Sequence, residues 1–319
     1  MATTTVSDGY YKDETTGEKV FVPAGSKITT KEERERIKKI VEAKEERKVK
    51  NTELAEVKDK MCGDFFWSLY DAGTDYYPDI SDSLLAKIIY LLTYLDYNKN
   101  ILVIREGVTK PNRPMTKDDV RNLIRLHRCK FNSFWNELLA TGIITENSDG
   151  SLAVSPKFCK GTLAKQEKQN SPAMKIFTHT VRYMYENVDV RSHRYLAYLY
   201  RLIPYISLRY NIFCANPLET DHTAIQKLTA KDMCQILGMD ESHQKRLIDT
   251  LFKLSFIDKN GDKRSIITVV TNFKNDEKRN FILINPQFYS GYVEKDDFMN
   301  LLDEFIVDKE NLILSYGRE

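Results

Sequence analysis

The apolar positions of Ser83–Val103 fall on one broad face of a helix that leads into a strand. The segment reads SLLAKIIYLLTYLDYNKNILV, with apolar residues at positions 84, 85, 88, 89, 91, 92 and 95, which is the spacing of a buried helical face. Displaced by 111 positions without a gap, residues 84–103 match residues 195–214 at six of 20 positions, and most apolar positions also agree. Pro204 is the main difference, and we expect it to kink the second copy.

A second pair of segments repeats at an offset of 113. Met115–Ile144 aligns with Leu228–Ile257, and apolar residues match apolar residues where packing requires them. Both copies contain a Thr-x-x-Asp helix start, at Thr116 and Thr229. A short helix, a tight turn and a longer helix are then predicted from the spacing of the apolar positions. This order is typical of a helix-turn-helix.

A β-hairpin, or wing, is predicted after each helix-turn-helix. The first carries Asp149-Gly150 at its tip, a strong signal for a two-residue turn. The second is longer and carries KNDEKR at its tip. Because the closing phrases SPKF and NPQF lie 130 positions apart, we expect 17 additional residues in one place, between Ile257 and Ile284.

The closing phrases predict how each wing ends. Proline cannot donate a backbone hydrogen bond, so Pro156 and Pro286 should end the last wing strands. We expect the aromatic residues two positions later to fold back onto the core, and the following glycines to allow an exit turn. These residues are Phe158, Phe288, Gly161 and Gly291.

The pattern as a whole predicts a mainly α fold with small β-hairpins, of the α+β class, built from two tandem winged helix-turn-helix domains related by internal duplication. Residues 1–62 form an N-terminal hairpin and a charged helical arm, and residues 63–170 form the first winged helix. Residues 171–292 form the second, with an enlarged wing, and residues 293–319 form an acidic helical segment. The arm is expected to be a solvated mixed-charge helix or partly disordered, with partner binding or phosphate contact as the alternative.

Composition narrows the class of protein. The 319 residues are 42% hydrophobic and 29% charged, with a net charge of +2, which is typical of a soluble globular protein. No apolar run approaches the roughly 18 residues of a membrane span, and the start lacks the features of a secretory signal. The five scattered cysteines indicate reduced thiols. We therefore expect a cytoplasmic protein that is not bound to a membrane.

Enzymatic motifs are missing from the sequence. The five histidines show no metal-ligand spacing, no Cys-x-x-Cys occurs, and no phosphate-binding glycine loop or nucleophile elbow is found. The adjacent acids Asp118-Asp119 and Asp296-Asp297 are explained by helix starts. We expect no catalytic residues, no metal and no cofactor.

The first helix-turn-helix has the surface expected of a DNA-binding module. From Arg105 to Lys130 there are eight basic and three acidic residues. Once the apolar stripe of the third helix is set aside, Lys130, Asn132, Ser133 and Asn136 face outward; Lys can bind guanine, Asn can pair with adenine, and Ser can serve either. Three arginines would contact phosphates beside them, namely Arg121, Arg125 and Arg128. An ordinary solvated helix face is the alternative.

The second copy is less basic. Leu228–Arg264 holds seven basic and six acidic residues. Its candidate DNA contacts are His243, Lys245 and Arg246 on the third helix, and Lys274, Lys278 and Arg279 at the wing tip. A surface without function is almost equally compatible with this pattern.

The run MTKDDVRNLIRLHRCKFNSFWNELLATGII, with the wing ENSDGSLAVSPKFCKG, resembles the winged-helix replication and regulatory proteins of Firmicute plasmids and phages. The tandem arrangement also resembles plasmid initiators with two winged helices, which bind repeated origin elements. The resemblance implies duplex DNA binding through the third helix and the wing. The chain departs from it in its N-terminal arm, its enlarged second wing and the acidic tip of its first wing.

These patterns lead to one functional expectation and one competitor. The first is sequence-specific binding of double-stranded DNA, without catalysis, in phage or plasmid transcription regulation or replication initiation. A homodimer through the arm or the C-terminal segment is left open. The competitor is a phage-encoded interaction or structural protein that uses winged helices as protein-docking surfaces.

Overall fold

The computed structural model describes residues 9–12, 17–23, 31–69, 80–105, 107, 111–161, 171–274, 277–291 and 305. The chain consists of two compact units, Met1–Glu56 and Val57–Glu319. In the first unit, β1 (Gly9–Lys12) pairs antiparallel with β2 (Lys19–Val22). The long helix α1 (Lys31–Cys62) follows, and its last six residues belong to the second unit. The exposed side chains of α1 agree with a solvated helix, since apolar residues such as Ile37 and Val49 remain about half exposed.

The larger unit contains two successions of elements, which we call the first half (residues 65–161) and the second half (residues 171–291). The first half opens with β3 (Phe65–Leu69) and α2 (Asp82–Leu92). The remaining elements of the first half are β4 (Val103–Ile104), β5 (Arg113–Pro114), α3 (Lys117–Ile124), α4 (Arg128–Ala140), β6 (Ile144–Glu146), β7 (Leu152–Val154) and β8 (Phe158–Cys159).

The second half opens with β9 (Ala173–Phe177) and the helix α5 (Thr178–Asn187). It continues with α6 (His193–Arg201), α7 (Ala230–Ile236), α8 (Gln244–Lys253), β10 (Ser255–Ile257), β11 (Lys263–Ser265), β12 (Ile267–Lys274), β13 (Glu277–Ile284) and β14 (Tyr289–Ser290). Pro204 lies in a 3₁₀ turn after α6 has ended at Arg201, so the helix stops before the proline rather than bending at it.

Equivalent backbone pairs occur in the two halves, at the same offsets that relate the repeated sequence segments. Isolated bridges join Leu95 to Leu102 and Ile101 to Ala153 in the first half. In the second half they join Ile206 to Phe213 and Ile212 to Leu283. The same offsets of 111 and 130 therefore relate both apolar pattern and strand pairing.

One asparagine in each half, half-buried at Asn100 and fully buried at Asn211, ties the strand after the first helix to the wing. Asn100 and Asn211 both adopt left-handed backbone angles, with φ of 49° and 53°. Asn100 Nδ2 donates to the Val154 carbonyl at 2.6 Å, and Asn211 Nδ2 donates to the Ile284 carbonyl at 3.2 Å. Asparagine tolerates this conformation better than other non-glycine residues, so the residue type suits both its backbone and its bonds.

The additional residues of the second half are divided between two places rather than confined to one. Thr141 and Leu254, at the ends of α4 and α8, lie 113 positions apart, whereas Ile144 and Ile267, which begin the wings, lie 123 apart. A net insertion of ten residues therefore accompanies the hairpin β10–β11, which spans Ser255–Ser265. The remaining seven lengthen the wing, whose strands β12 and β13 have eight residues each.

The first wing also differs from its prediction at the tip. Five residues, Asn147–Ser151, separate its strands, so the expected two-residue turn at Asp149-Gly150 is wrong. The side chain of Asp149 accepts hydrogen bonds from the Ser151 backbone N–H (2.9 Å) and hydroxyl (2.6 Å). These bonds close the loop, while Gly150 supplies its positive φ.

The phrases that close the wings are structural, as expected. Phe158 and Phe288 are buried in the core at 1% and 0% exposure. A β-carbon at either glycine would collide with backbone, that of Tyr97 at Gly161 and that of Leu208 at Gly291, and Gly161 in addition has a positive φ of 55°.

A four-stranded antiparallel sheet joins the halves, in the order β14-β9-β3-β8. One face of this sheet contributes Phe66 and Ile176 to a hydrophobic core that extends through both halves. The described residues are thus a mixture of helices and small antiparallel sheets, in agreement with the α+β class. The boundaries at 62, 170 and 292 stay predictions. Of the predicted segment 293–319, the structure describes only Phe305, which is buried and accepts a backbone hydrogen bond from Ser265.

Candidate nucleic-acid interface

The start of α3 is held by a capping box. The Asp119 carboxylate accepts from the Thr116 backbone N–H at 2.8 Å, while the Thr116 hydroxyl oxygen accepts from the Asp119 backbone N–H at 3.4 Å. Arg113 donates both of its terminal nitrogens to the same carboxylate, at 2.7 and 2.8 Å. Hydrogen bonding to Arg113 holds the pKa of Asp119 well below its usual range, so the carboxylate stays charged. These bonds fix the position at which α3 begins.

The turn between α3 and α4 exposes basic side chains. Arg125 ends α3 in the left-handed conformation, with φ of 54°. α4 then begins at Arg128, two residues before Lys130, and His127 precedes it without a side-chain capping bond. Arg125, Arg128 and Lys130 are all exposed.

α4 separates its apolar and polar residues as predicted. The buried residues are Phe131, Phe134, Trp135 and Leu138. The predicted base-reading residues Lys130, Asn132, Ser133 and Asn136 are all exposed. The structure therefore brings these four side chains onto the solvent face of one helix.

Local ion pairs occupy several of the basic residues counted in the sequence. Arg105 pairs with Asp64 at 3.1 Å, and Arg121 pairs with Asp118 at 3.1 Å. Lys117 lies over the Trp135 ring at 5.1 Å. No ion pair within the described residues involves Arg125, Arg128 or Lys130, so the unneutralised charge is concentrated at the turn and the start of α4. The predicted phosphate contact Arg121 is exposed but already shared with a carboxylate.

One acidic residue lies on the same face. The Ser133 hydroxyl donates to Glu137 Oε1 at 3.0 Å, and both residues are exposed. A carboxylate one turn beyond the candidate contacts repels phosphate and can accept a hydrogen bond from cytosine. The first-wing tip adds Asp149, whose pKa is lowered by the hydrogen bonds from Ser151. The acidic wing tip therefore makes phosphate contact through that wing unfavourable.

The helix pair α7–α8 of the second half repeats the capping of α3–α4 but not its surface. Thr229 and Asp232 form a capping box at the start of α7, and Gly238 provides a positive φ of 64° in the turn. Lys231 is neutralised by Glu241 at 2.9 Å. His243, Lys245 and Arg246 are exposed at the start of α8, so the predicted contacts lie close together there.

A cluster of arginine and tyrosine lies between α6 and α8, and the sequence did not predict it. Arg194 donates to the Tyr195 hydroxyl at 3.0 Å and lies over its ring at 5.0 Å. Hydrogen bonding from Arg194 lowers the pKa of Tyr195, and a second hydrogen bond from Arg246 acts in the same direction. Only a tyrosine beside an arginine, at the position that aligns with the apolar Leu84, marked this cluster in the sequence.

The predicted contacts in the second wing are less well placed than expected. Lys274 ends β12 opposite Glu277, while Lys278 and Arg279 lie within β13 opposite Phe273 and Asn272. All three belong to the strands rather than to the tip between them. Their side chains lie outside the described residues, so their role as DNA contacts stays a prediction.

No family model, curated protein or solved structure matches the chain. No helix of the described part is long and apolar enough to cross a membrane. Across the same residues, no group of three or more histidine, cysteine, aspartate or glutamate side chains is placed to hold a metal ion.

Proposed function

We propose that the two halves are winged helix-turn-helix domains derived from one duplicated unit, and that the chain binds double-stranded DNA in a sequence-specific manner. The observation that carries the proposal is the solvent face of α4. There Lys130, Asn132 and Asn136 project from a helix that follows a capped helix and a tight turn. A helix held in this way is the element that enters the major groove in helix-turn-helix proteins.

The side chains on this face suit base recognition. Lysine donates to the O6 and N7 acceptors of guanine, and asparagine can donate and accept at the same adenine. Arg125 and Arg128 lie at the beginning of the helix, where phosphates flank the groove and where the helix dipole favours anions. In the proposed complex, α4 therefore contacts the bases, and the turn before it contacts phosphates and positions the helix.

The duplication is supported by bonds as well as by apolar patterns. The bridges, the two left-handed asparagines and the two capping boxes recur at offsets of 111, 113 and 130. A role in phage or plasmid transcription control or replication initiation extends this proposal and is compatible with a protein that acts without catalysis.

A salt titration tests DNA binding directly. Fluorescence anisotropy would be measured on random duplexes and on duplexes enriched by in vitro selection, over a series of salt concentrations. The logarithm of affinity should fall linearly with the logarithm of salt, by roughly 0.9 per phosphate contacted. Affinity that does not depend on salt, or that is weaker than about 10⁻⁴ M at moderate salt, would instead favour a protein-docking role.

A matched pair of variants tests the assignment of the reading face. The double change Lys130→Ala and Asn132→Ala should reduce the preference for the selected site by at least ~10-fold, because each removes a contact to a base. The control changes Asn98→Ala and Lys99→Ala remove the same residue types from an exposed loop outside α4. Equal losses of preference in the two variants would show that α4 is not the reading helix.

A further inference from the structure

Three polar residues of α4, Lys130, Ser133 and Glu137, lie in one row along its solvent face. They are spaced by three and four positions, as neighbours on a helix surface are, and all three are exposed. At a rise of about 1.5 Å per residue, Lys130 and Glu137 are separated by roughly 10 Å along the helix axis. This is the length of about three base pairs of duplex DNA.

The carboxylate of Glu137 is held by the residue in the middle of this row. Ser133 Oγ donates to Glu137 Oε1 at 3.0 Å. The bond takes up one of about four acceptor positions that a carboxylate offers. No ion pair within the described residues involves Glu137. Its charge and its remaining lone pairs are therefore open to a ligand on the solvent side of α4.

A buried lysine also attracts this carboxylate. Lys87 of α2 is 8% exposed, and α2 packs against α4. Lys87 Nζ donates to Ser83 Oγ at 2.6 Å and to the Ser83 carbonyl at 2.9 Å. Burial lowers the pKa of Lys87, and the charge of Glu137 opposes this effect. The Glu137 carboxylate is thus bonded by a hydroxyl and attracted by a buried ammonium, which restricts its orientation.

An ionised carboxylate accepts hydrogen bonds but cannot donate them. In the major groove, cytosine presents the N4 amino group as a donor, whereas guanine and thymine present acceptors and adenine presents a donor beside an acceptor. We propose, on the basis of the proposed function, that Glu137 determines the specificity of α4 by selecting a cytosine. That cytosine lies about three base pairs from the guanine contacted by Lys130.

Glu137 should therefore weaken binding to DNA in general while favouring one base. Its charge repels the phosphates of every sequence, but its hydrogen bond to a base forms at cytosine. Glutamine has the same length without the charge, and it pairs with adenine through a donor and an acceptor. Glu137→Gln should thus raise the affinity for random duplexes and lower the preference for cytosine. A residue that acts through charge alone would change only the affinity for random duplexes.

In vitro selection with the full chain, as wild type and as Glu137→Gln, tests this assignment. A parallel selection with Lys130→Ala identifies the position that Lys130 contacts. Duplexes that carry each of the four base pairs at every position of the wild-type site are then titrated with the wild type and with Glu137→Gln. Fluorescence anisotropy measures the affinity for each duplex.

We expect the wild type to prefer cytosine by about 10-fold at one position. Glu137→Gln should reduce that preference below ~3-fold or transfer it to adenine, while preferences at the other positions change by less than ~2-fold. The affected position should lie about three base pairs from the one altered by Lys130→Ala.

Two further variants separate the base contact from total charge and from the support of the carboxylate. Ser133→Ala keeps the charge of Glu137 and removes the bond that holds it, so it should lower the cytosine preference by roughly 3-fold. Glu219→Gln removes an acid from a loop of the second half and should leave the base preference at every position unchanged.

Three results would overturn the assignment while leaving DNA binding in place. The first is a selected site in which Glu137→Gln lowers the cytosine preference at no position. The second is an equal change at every position, which would show that charge alone determines the effect. The third is an affected position more than about five base pairs from that of Lys130, because the row on α4 is too short to span this distance. Failure to bind any duplex, or binding without sequence preference, would instead contradict the proposed function itself.

Discussion

The helix pairs α3–α4 and α7–α8 share their backbone arrangement and differ on their surface. Both begin with a Thr-x-x-Asp capping box and lead to a helix with a buried apolar stripe. At equivalent exposed positions, however, α4 has Ser133 bonded to Glu137, whereas α8 has Arg246 directed at Tyr195. One surface carries a carboxylate and the other an arginine cluster. The backbone hydrogen bonds and the exposed side chains therefore vary independently between the halves.

The inserted hairpin of the second half offers the largest expected effect. Arg264, only 6% exposed, donates to Asp258 at 2.9 Å, and Asp258 is 4% exposed. We expect Arg264→Ala to lower the free energy of unfolding by about 3–5 kcal/mol, because it leaves a buried carboxylate without its partner. Urea denaturation measures the loss.

The double change Arg264→Met and Asp258→Leu is the control for this ion pair. It removes both charges and should recover most of the stability, since a well-packed apolar pair often replaces a buried ion pair without loss. A single variant as stable as the wild type would show that the hairpin does not contribute to the fold of the second half.

Substitution of the two left-handed asparagines tests whether this hydrogen bonding contributes equally to the stability of both halves. Asn211 is fully buried, and its amide nitrogen donates to two carbonyls, those of Ile284 and Tyr289. Asn100 donates to one, that of Val154. We therefore expect Asn211→Ala to cost about 3 kcal/mol and Asn100→Ala about 2 kcal/mol, because each lost donor leaves a carbonyl unsatisfied.

The glycine variants separate hydrogen bonding from backbone strain. Glycine adopts a positive φ readily, so Asn211→Gly keeps the backbone conformation while removing the side-chain bonds. If Asn211→Gly and Asn100→Gly both unfold at the same urea concentration as the wild type, the asparagines act only through their backbone conformation.

Several features of the backbone arrangement could be predicted from the sequence because they depend on residues close together in the chain. The capping boxes at Thr116 and Thr229 and the apolar stripe of α4 follow from short-range spacing. The pairing of β3 with β9 could not, since it joins strands more than a hundred residues apart whose short apolar runs do not identify their partners. The Arg194–Tyr195–Arg246 cluster was missed for the same reason: α6 and α8 become neighbours only in the folded chain.

Removal of the acidic side chain of α4, Glu137, should have a smaller effect, on DNA affinity. At the position equivalent to Glu137, the second half has the neutral Thr250. We expect Glu137→Gln to strengthen binding to random duplexes by roughly 3- to 10-fold at low salt, because it removes a charge that repels phosphate. Anisotropy titration measures the change.

An acid away from the solvent face of α4 provides the control for Glu137. Glu219→Gln removes one negative charge from an exposed loop of the second half. An equal gain from both variants would show that total charge, rather than the position of Glu137, determines binding.

The smallest effect concerns acid stability of the two capping boxes. Hydrogen bonds lower the pKa of both Asp119 and Asp232, and Asp119 alone is also bonded by an arginine, Arg113. A carboxylate with a depressed pKa in the folded state stabilises the protein above its unfolded value, about 3.9, and this stabilisation is lost as the pH falls through the folded value. As the pH falls below about 4, the first turn of α7 should therefore lose amide protection before that of α3. Arg113→Ala should remove this difference at a cost of about 0.5 kcal/mol at neutral pH, because the ion pair is partly exposed. Hydrogen exchange resolved by residue measures the amide protection of both first turns in one experiment. If the wild type loses protection in both turns at the same pH, Arg113 does not make the capping box of α3 more acid-stable than that of α7.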